Sequence, residues 1–471
     1  MRCVSIHESG RAAPGRGRIH RIRAESRIAR HRVAGNVLSD GAGGRVVRTY
    51  SWRVSGGRGS GRRGAVAVVV SVLLLASSTG IPATSEARTP GAAGDSAPAD
   101  RSADDPFYQP PRPLPAGEPG DVLEARPSSA GPPAARALAD AWQVQYLSTD
   151  ARGEPIAVTG TVLVPEDVEP QDAPIVGLAP GTHGPAFRCA PSRMIDAGAF
   201  YEQNPLNETL RRGYAVAVPD YEGYHENPET TYMVGESMGA ATLDIVRAAQ
   251  RLPEAGLSGD APVALRGYSQ GGGAAVWAGE MQPEYAPEMN LVGVAGGGVP
   301  ADLVQVSLPL DGTWGFGVLA YGLIGLDNAY PELDLDSYLT DAGREAFDEM
   351  REDACTFELL TRYAGDRLQD YTDPSPVLEP EWVERIEQNA LGNGKIEVPV
   401  YLYHARNDDL VAFGQASSLR DSYCAQGMDV TWEEFDVDSP APHITMINVG
   451  DGPVQEFITE RFAGEPSTPN C

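Results

Sequence analysis

The 471 residues could make two or three average domains, or one large α/β domain with an insertion, and their net charge of −28 is spread very unevenly. Residues 1–63 carry fifteen arginines and three acids, so the remainder lies near −40. Such a surface repels nucleic acid and anionic lipid head groups and argues against binding either.

From the N-terminus, residues 1–63 are rich in Arg and Gly, have no apolar periodicity, and so have no means of building a core. The expectation is that this stretch is an extension upstream of the true start, with Val47 and Val54 as candidate initiation points. Residues 64–87 have the order of parts of a secretory signal peptide. Arg62 and Arg63 form the charged flank, Ala65 to Ala76 an apolar run too short to span a bilayer comfortably, and Ser85-Glu86-Ala87 a small-residue cleavage site. The chain is therefore expected to be secreted after cleavage near Ala87, without a stable membrane anchor. Residues 88–104, rich in Pro, Ala, Ser and Gly, form a linker.

Export places the cysteines in an oxidising compartment. Cys3 leaves with the signal region, and Cys189, Cys355, Cys424 and Cys471 make an even set with three possible pairings, which spacing leaves open. With no C-x-x-C and no Cys/His cluster, neither a metal nor a cofactor is expected.

Beyond the linker, strand-like and helix-like segments alternate. "AWQVQYLS" and "PIAVTGTVLVP" read as an antiparallel pair. "APIVGLAP", "GYAVAVPD", "PVALRGYS", "NLVGVAGG" and "VPVYLYHA" are short continuous apolar runs, as expected of strands buried on both faces. Amphipathic stretches such as "GAATLDIVRAAQRL" lie between them. The pattern predicts a mostly parallel sheet with helices on both sides.

Two serines compete for one role. Ser237, between Gly235 and Gly239, and Ser269, between Gly267 and Gly271, both fit G-x-S-x-G, the turn that lifts a nucleophilic serine from a strand onto a helix N-terminus. Such an elbow needs a buried strand running into it. "APVALR" precedes Ser269, whereas the polar "YHENPETTYMV" precedes Ser237. Ser269 is accordingly the candidate nucleophile, and Ser237 reads as a helix-start serine ahead of an ordinary apolar stripe, Leu243, Val246 and Ala249.

A serine nucleophile needs a base and an acid. After export only His183, His225, His404 and His443 remain. The α/β-hydrolase order of Ser, acid, His selects Asp408, just past the strand "VPVYLYHA", and His443, on a Pro-containing loop after "TWEEFDVDS". His404 falls inside the strand and is expected to pack there. Asp409 is the close rival of Asp408, and strand pleating is expected to turn the two apart. The oxyanion of the reaction needs two N–H donors. Gln270, after the nucleophile, supplies one. The loop "APGTHGPAF" supplies the other, with Thr182, His183 and Gly184 as candidates; His183 has the alternative role of supporting the loop through its ring.

These motifs together resemble the secretory lipase family, the lipase A-like α/β-hydrolases of fungi and bacteria. The resemblance covers residues from about 105 to 471. It rests on "DPFYQPP", "YLSTDARGEPIAVTGTVLVP", "CAPS", "GYAVAVPDYEG", "ATLDIVRAA", "GYSQGG", "YHARNDDLV" and a C-terminal cysteine, in that order. It implies an α/β-hydrolase fold, a mostly parallel sheet flanked by helices with an inserted helical cap at about 300–397, and a triad of Ser269, Asp408 and His443. It also implies disulfides joining Cys189 to Cys355 and Cys424 to Cys471. Gly184 stands near a position where lipase A-type members carry an acid, so any side-chain contribution there is missing. Within the cap, Trp314, Phe316 and Tyr321 are candidates for lining an acyl channel, the alternative being that they form the cap's own core.

The expected activity is hydrolysis of lipid or small acyl esters. The alternatives are an inactive lipase-like binding protein, since fold alone does not guarantee function, and an exopeptidase or amidase on the same fold. No feature assigns an oligomeric state.

The acidity carries its own expectation. Lys395 is the only lysine. A GC-rich genome accounts for Arg over Lys but not for the acid excess, which fits adaptation to salt. Salt screens repulsion beyond about 10 Å at 0.1 M and about 3 Å at 1 M. Melting temperature and activity are therefore expected to rise between dilute buffer and 1 M sodium chloride, and an unchanged melting temperature contradicts salt adaptation.

Overall fold

The computed structural model describes residues 105–225 and 227–471. The Arg-rich extension, signal segment and linker expected within residues 1–104 lie outside the described residues.

Nine strands form one sheet: β1 (Val122–Ser128), β2 (Ala139–Thr149), β3 (Pro155–Pro165), β4 (Ile175–Ala179), β5 (Ala215–Pro219), β6 (Val263–Tyr268), β7 (Leu291–Gly297), β8 (Val400–Ala405) and β9 (Val430–Phe435). Their order is β1-β2-β3-β5-β4-β6-β7-β8-β9. The β1–β2, β2–β3 and β3–β5 pairs are antiparallel, and every pair from β5 to β9 is parallel. All the predicted strands are present. β1 was not foreseen, because "VLEARPS" mixes apolar and charged residues and contains Pro127, a pattern tolerated only at a sheet edge.

The helices are α1 (Pro191–Ala197), α2 (Gln203–Arg211), α3 (Gly235–Arg251), α4 (Gln270–Tyr285), α5 (Leu303–Leu310), α6 (Phe316–Ala329), α7 (Asp341–Asp353), α8 (Thr356–Arg362), α9 (Leu368–Tyr371), α10 (Pro380–Gln388), α11 (Phe413–Ala425), α12 (Pro442–Val449) and α13 (Asp451–Phe462). The central strands are apolar throughout because both of their faces are covered. In β4, Ile175 and Ala179 join a core with α3, α4 and α11, while Val176 and Leu178 face the α1, α2, α12 and α13 side. Between β7 and β8, helices α5 to α10 gather around a core of their own that includes Phe316, Tyr321, Phe347 and Trp382. This insertion covers the C-terminal ends of the parallel strands, where crossover topology leaves a crevice for a ligand. Among the described residues no helix is long and apolar enough to cross a membrane.

Candidate active site

Strand β6 ends at Tyr268, α4 begins at Gln270, and Ser269 makes the whole turn between them. It does so with φ 59° and ψ −124°, a conformation that costs a non-glycine residue of order 1–3 kcal/mol and is held only by its surroundings. Here the Ser269 N–H donates to Gly297 O at 2.9 Å on the neighbouring strand. The flanking glycines are a steric requirement. A Cβ on Gly267 would come within 2.1 Å of Gly271 O, and one on Gly271 within 2.0 Å of Ala179 O.

The glycines around Ser237 serve a different end. A Cβ on Gly235 would meet the Trp277 ring at 2.0 Å, and one on Gly239 the Met281 sulfur at 2.5 Å, so they let α3 lie close against α4. Ser237 itself lies in the first turn of α3, buried, and donates to Glu222 Oε2 at 2.6 Å.

His443 Nε2 lies 2.9 Å from Ser269 Oγ, and its Nδ1 2.7 Å from Asp408 Oδ2. An ionised aspartate only accepts, so Nδ1 carries the proton and Nε2 is free to accept from the serine hydroxyl. The other Asp408 oxygen accepts the N–H groups of Leu410 at 2.9 Å and Val411 at 2.7 Å. Burial works to raise the Asp408 carboxyl, yet His443, His404 and the Val411 N–H together hold it below the ordinary aspartate value. The acid is thus charged and fixed in direction.

Three expectations about this region need correction. His443 lies not on a loop but in the first turn of α12, which holds its backbone rigidly. Asp408 and Asp409 follow the end of β8, where pleating no longer separates neighbours, and both reach His443: Asp409 Oδ1 accepts its backbone N–H at 3.0 Å. His404 does more than pack. Its Nε2–H donates to Val411 O at 2.9 Å and lies 3.6 Å from Asp408 Oδ2, while burial holds its ring below the usual histidine value.

Ser269, Gln270 and His443 open onto a cavity of about 300 Å³. Of the three second-donor candidates, Thr182 lines it and neither His183 nor Gly184 does. The His183 ring turns inward, packs against both Phe200 and Tyr201, and donates from Nδ1 to Gly181 O at 2.9 Å. Gly184, at φ 101°, faces the insertion, where a Cβ would strike Ala354 O at 2.5 Å. Cys355 follows Ala354 and is bonded to Cys189, and Thr356 donates to His183 O from its N–H at 3.1 Å and to Thr182 O from its hydroxyl. The start of α8 is therefore fastened to the loop at 180–189. The other disulfide joins Cys424 to Cys471.

The aromatic candidates do not line the cavity. Phe316 stacks on Tyr371 at 5.6 Å, Tyr321 lies behind Tyr232 at 4.0 Å, and Trp314 rests against the core of the insertion. The α6 wall is aliphatic instead, with Val318, Leu319, Gly322, Leu323 and Leu326 on one face, while Phe357 of α8 and Tyr201, Tyr232 and Tyr268 are lining aromatics that sequence reasoning missed. The spacing of that stripe at i, i+4 and i+8 in an uncharged run was a visible signal. Tyr321 points elsewhere because its position on the helix falls outside the arc of the stripe, and Phe316 precedes the stripe at the start of α6.

The family described as "Secretory lipase" matches residues 194–470. The chain is 30% identical to the secreted triacylglycerol lipase LIP1 of Malassezia furfur over 79% of this chain and 78% of that one. It is 31% identical to a probable inactive lipase of Mycobacterium tuberculosis, with 78% of this chain and 83% of that one covered. Among solved structures, lipase A of Candida antarctica superposes with a TM-score of 0.70 at 26% identity, over 78% of this chain and 87% of that one.

Proposed function

The chain belongs to the secretory lipase family and is a carboxylic ester hydrolase of the triacylglycerol lipase type, and we propose that it works through an acyl-enzyme formed on Ser269. The observation that carries this reading is the unbroken line of hydrogen bonds from Ser269 through His443 to Asp408, opening onto an apolar cavity.

In this reading Ser269 Oγ attacks the ester carbonyl as its proton passes to His443 Nε2. Asp408 holds the imidazole tautomer and offsets the positive charge. The tetrahedral oxyanion is met by the backbone N–H groups of Gln270 and Thr182, each worth roughly 3 kcal/mol to the transition state. Collapse breaks the C–O bond to the alcohol, which leaves with the proton from His443. Water then repeats the sequence: its proton goes to His443, its oxygen to the acyl carbon, and Ser269 leaves reprotonated with release of the acid.

The aliphatic wall supports an acyl chain as the occupant of the cavity, whose volume is at the lower end of the roughly 300–1,000 Å³ usual for ligand sites. Gly322 lies on that wall, and a Cβ there meets nothing within 4 Å. Gly322→Trp is therefore expected to lower kcat/KM for p-nitrophenyl laurate and palmitate by about tenfold or more while leaving the acetate nearly unchanged. An unaltered chain-length profile contradicts the acyl assignment.

The name of the Mycobacterium relative makes an inactive binding protein the reading to test against. Hydrolysis of a p-nitrophenyl ester series, measured beside an aminoacyl anilide, separates the three cases. Turnover of the esters is expected; turnover of the anilide alone indicates an amidase, and turnover of neither a binding protein. Export from the cell is part of the same proposal, and the two disulfides support it.

A further inference from the structure

Behind the cavity wall lies a carboxyl group that the chemistry above leaves unused. Glu202 sits just ahead of α2, 3% exposed, and its Oε2 accepts the Gly181 N–H at 2.8 Å. The two peptide groups flanking Gly181 determine where the Thr182 N–H points. In Pro180–Gly181 the carbonyl accepts the Tyr221 hydroxyl at 2.9 Å while the N–H goes to Glu202, so that plane is pinned at both ends. In Gly181–Thr182 the carbonyl accepts the His183 Nδ1–H. The C=O and N–H of a trans peptide point in opposite directions, so this bond turns the Thr182 N–H away from the ring. Among the described residues the Thr182 N–H has no acceptor, and Thr182 lines the cavity beside Ser269.

We propose that Glu202 is a positioning residue for acyl transfer: by accepting the Gly181 N–H, its carboxylate holds the loop so that the Thr182 N–H meets the oxyanion. The proposal rests on the reading of Ser269 and Thr182 given above. A hydrogen bond to a charged acceptor is roughly twice as strong as one to a neutral acceptor, so ionisation of Glu202 stiffens the loop.

The surroundings make that ionisation adjustable. Burial pushes the Glu202 carboxyl up to about 7, against the lowering effects of the Gly181 N–H, Arg266 and Tyr201. The charged and titratable groups around it are Tyr201 beside it, Arg266 on β6, Tyr221 after β5 and Tyr403 on β8. Arg266 is itself paired with Asp451 at 2.7 Å.

The sign of the linkage separates positioning from mere support. Because the folded value lies above the ordinary 4.5, protonated Glu202 contributes stability that is complete below about 4.5 and lost as the pH rises through about 7. At pH 8 the folded protein carries a buried charge that Glu202→Gln removes. The variant is therefore expected to melt no lower than the wild type at pH 8 and yet to turn over more slowly.

The test compares Glu202→Gln, Glu202→Ala and Ser269→Ala with the wild type on p-nitrophenyl butyrate from pH 6 to 9, together with inhibition by a trifluoromethyl ketone, which forms an oxyanion at the same place. Glu202→Gln is expected to lower kcat about tenfold and Glu202→Ala up to about a hundredfold, with KM little changed and ketone affinity falling in parallel. The acid limb of kcat should become shallower in Glu202→Gln. If Glu202→Ala does not fold, the isosteric Gln variant decides. Wild-type kcat and ketone affinity in Glu202→Gln, beside an inactive Ser269→Ala, overturn the positioning role alone. An active Ser269→Ala overturns the underlying reading and the proposal with it.

Discussion

Ser269→Ala is expected to lower kcat on p-nitrophenyl esters by roughly 10⁴–10⁶-fold, the loss seen when a triad serine is removed and only binding and oxyanion stabilisation remain. The hydroxyl is the atom that forms the acyl bond, and among the described residues no other serine is hydrogen-bonded to His443. Ser237→Ala supplies the contrast, since it has the same flanking glycines and different neighbours. Its loss deprives the half-buried Glu222 carboxyl of one donor at 2.6 Å and leaves Thr231 at 3.0 Å. That is expected to cost about 1–2 kcal/mol of stability and little activity. Steady-state kinetics and thermal melts of both variants check the pair; an inactive Ser237→Ala beside an active Ser269→Ala contradicts the assignment.

Asp408→Asn is expected to lower kcat by about 10³–10⁴-fold with KM nearly unchanged, because an amide in place of the carboxylate favours the wrong imidazole tautomer and no longer offsets the charge. The neighbouring Asp409→Asn is expected to keep kcat within about tenfold, since the Asn oxygen still accepts the His443 N–H and the ring never depended on that side chain. Kinetics on one ester decide the matter. Equal losses in the two variants would mean that orientation of the His443 backbone, and not the ring's partner, is what the acid loop supplies.

Much of this was legible in the sequence because burial on both faces leaves a simple signature. The runs behind β4 to β8 could be read without knowing their neighbours, and the strand before Ser269 separated it from Ser237. The same logic failed at β1, whose single covered face and edge position left a mixed pattern. Within the site, what chain order controls was accessible and what depends on packing across the chain was not. Asp408 and His443 follow from order. That Thr182, and not His183 or Gly184, faces the cavity depends on α8, which fastens the loop from about 170 residues away through Cys355 and Thr356. Trp314, Phe316 and Tyr321 suggested a channel because large aromatics line many pockets, yet a small cap needs a core of its own and used Phe316 and Tyr321 to build it. Glu202 carried no signal at all, since its meaning lies in one N–H on a loop it meets only in the fold.

Everything proposed for the site depends on the identity of the nucleophile, and covalent labelling reads it without mutagenesis. Incubation with a fluorophosphonate, followed by digestion and mass mapping, is expected to give one adduct, on the peptide containing Ser269, with activity lost in proportion to labelling. An adduct on the peptide containing Ser237, or full inactivation with Ser269 unlabelled, would contradict the account.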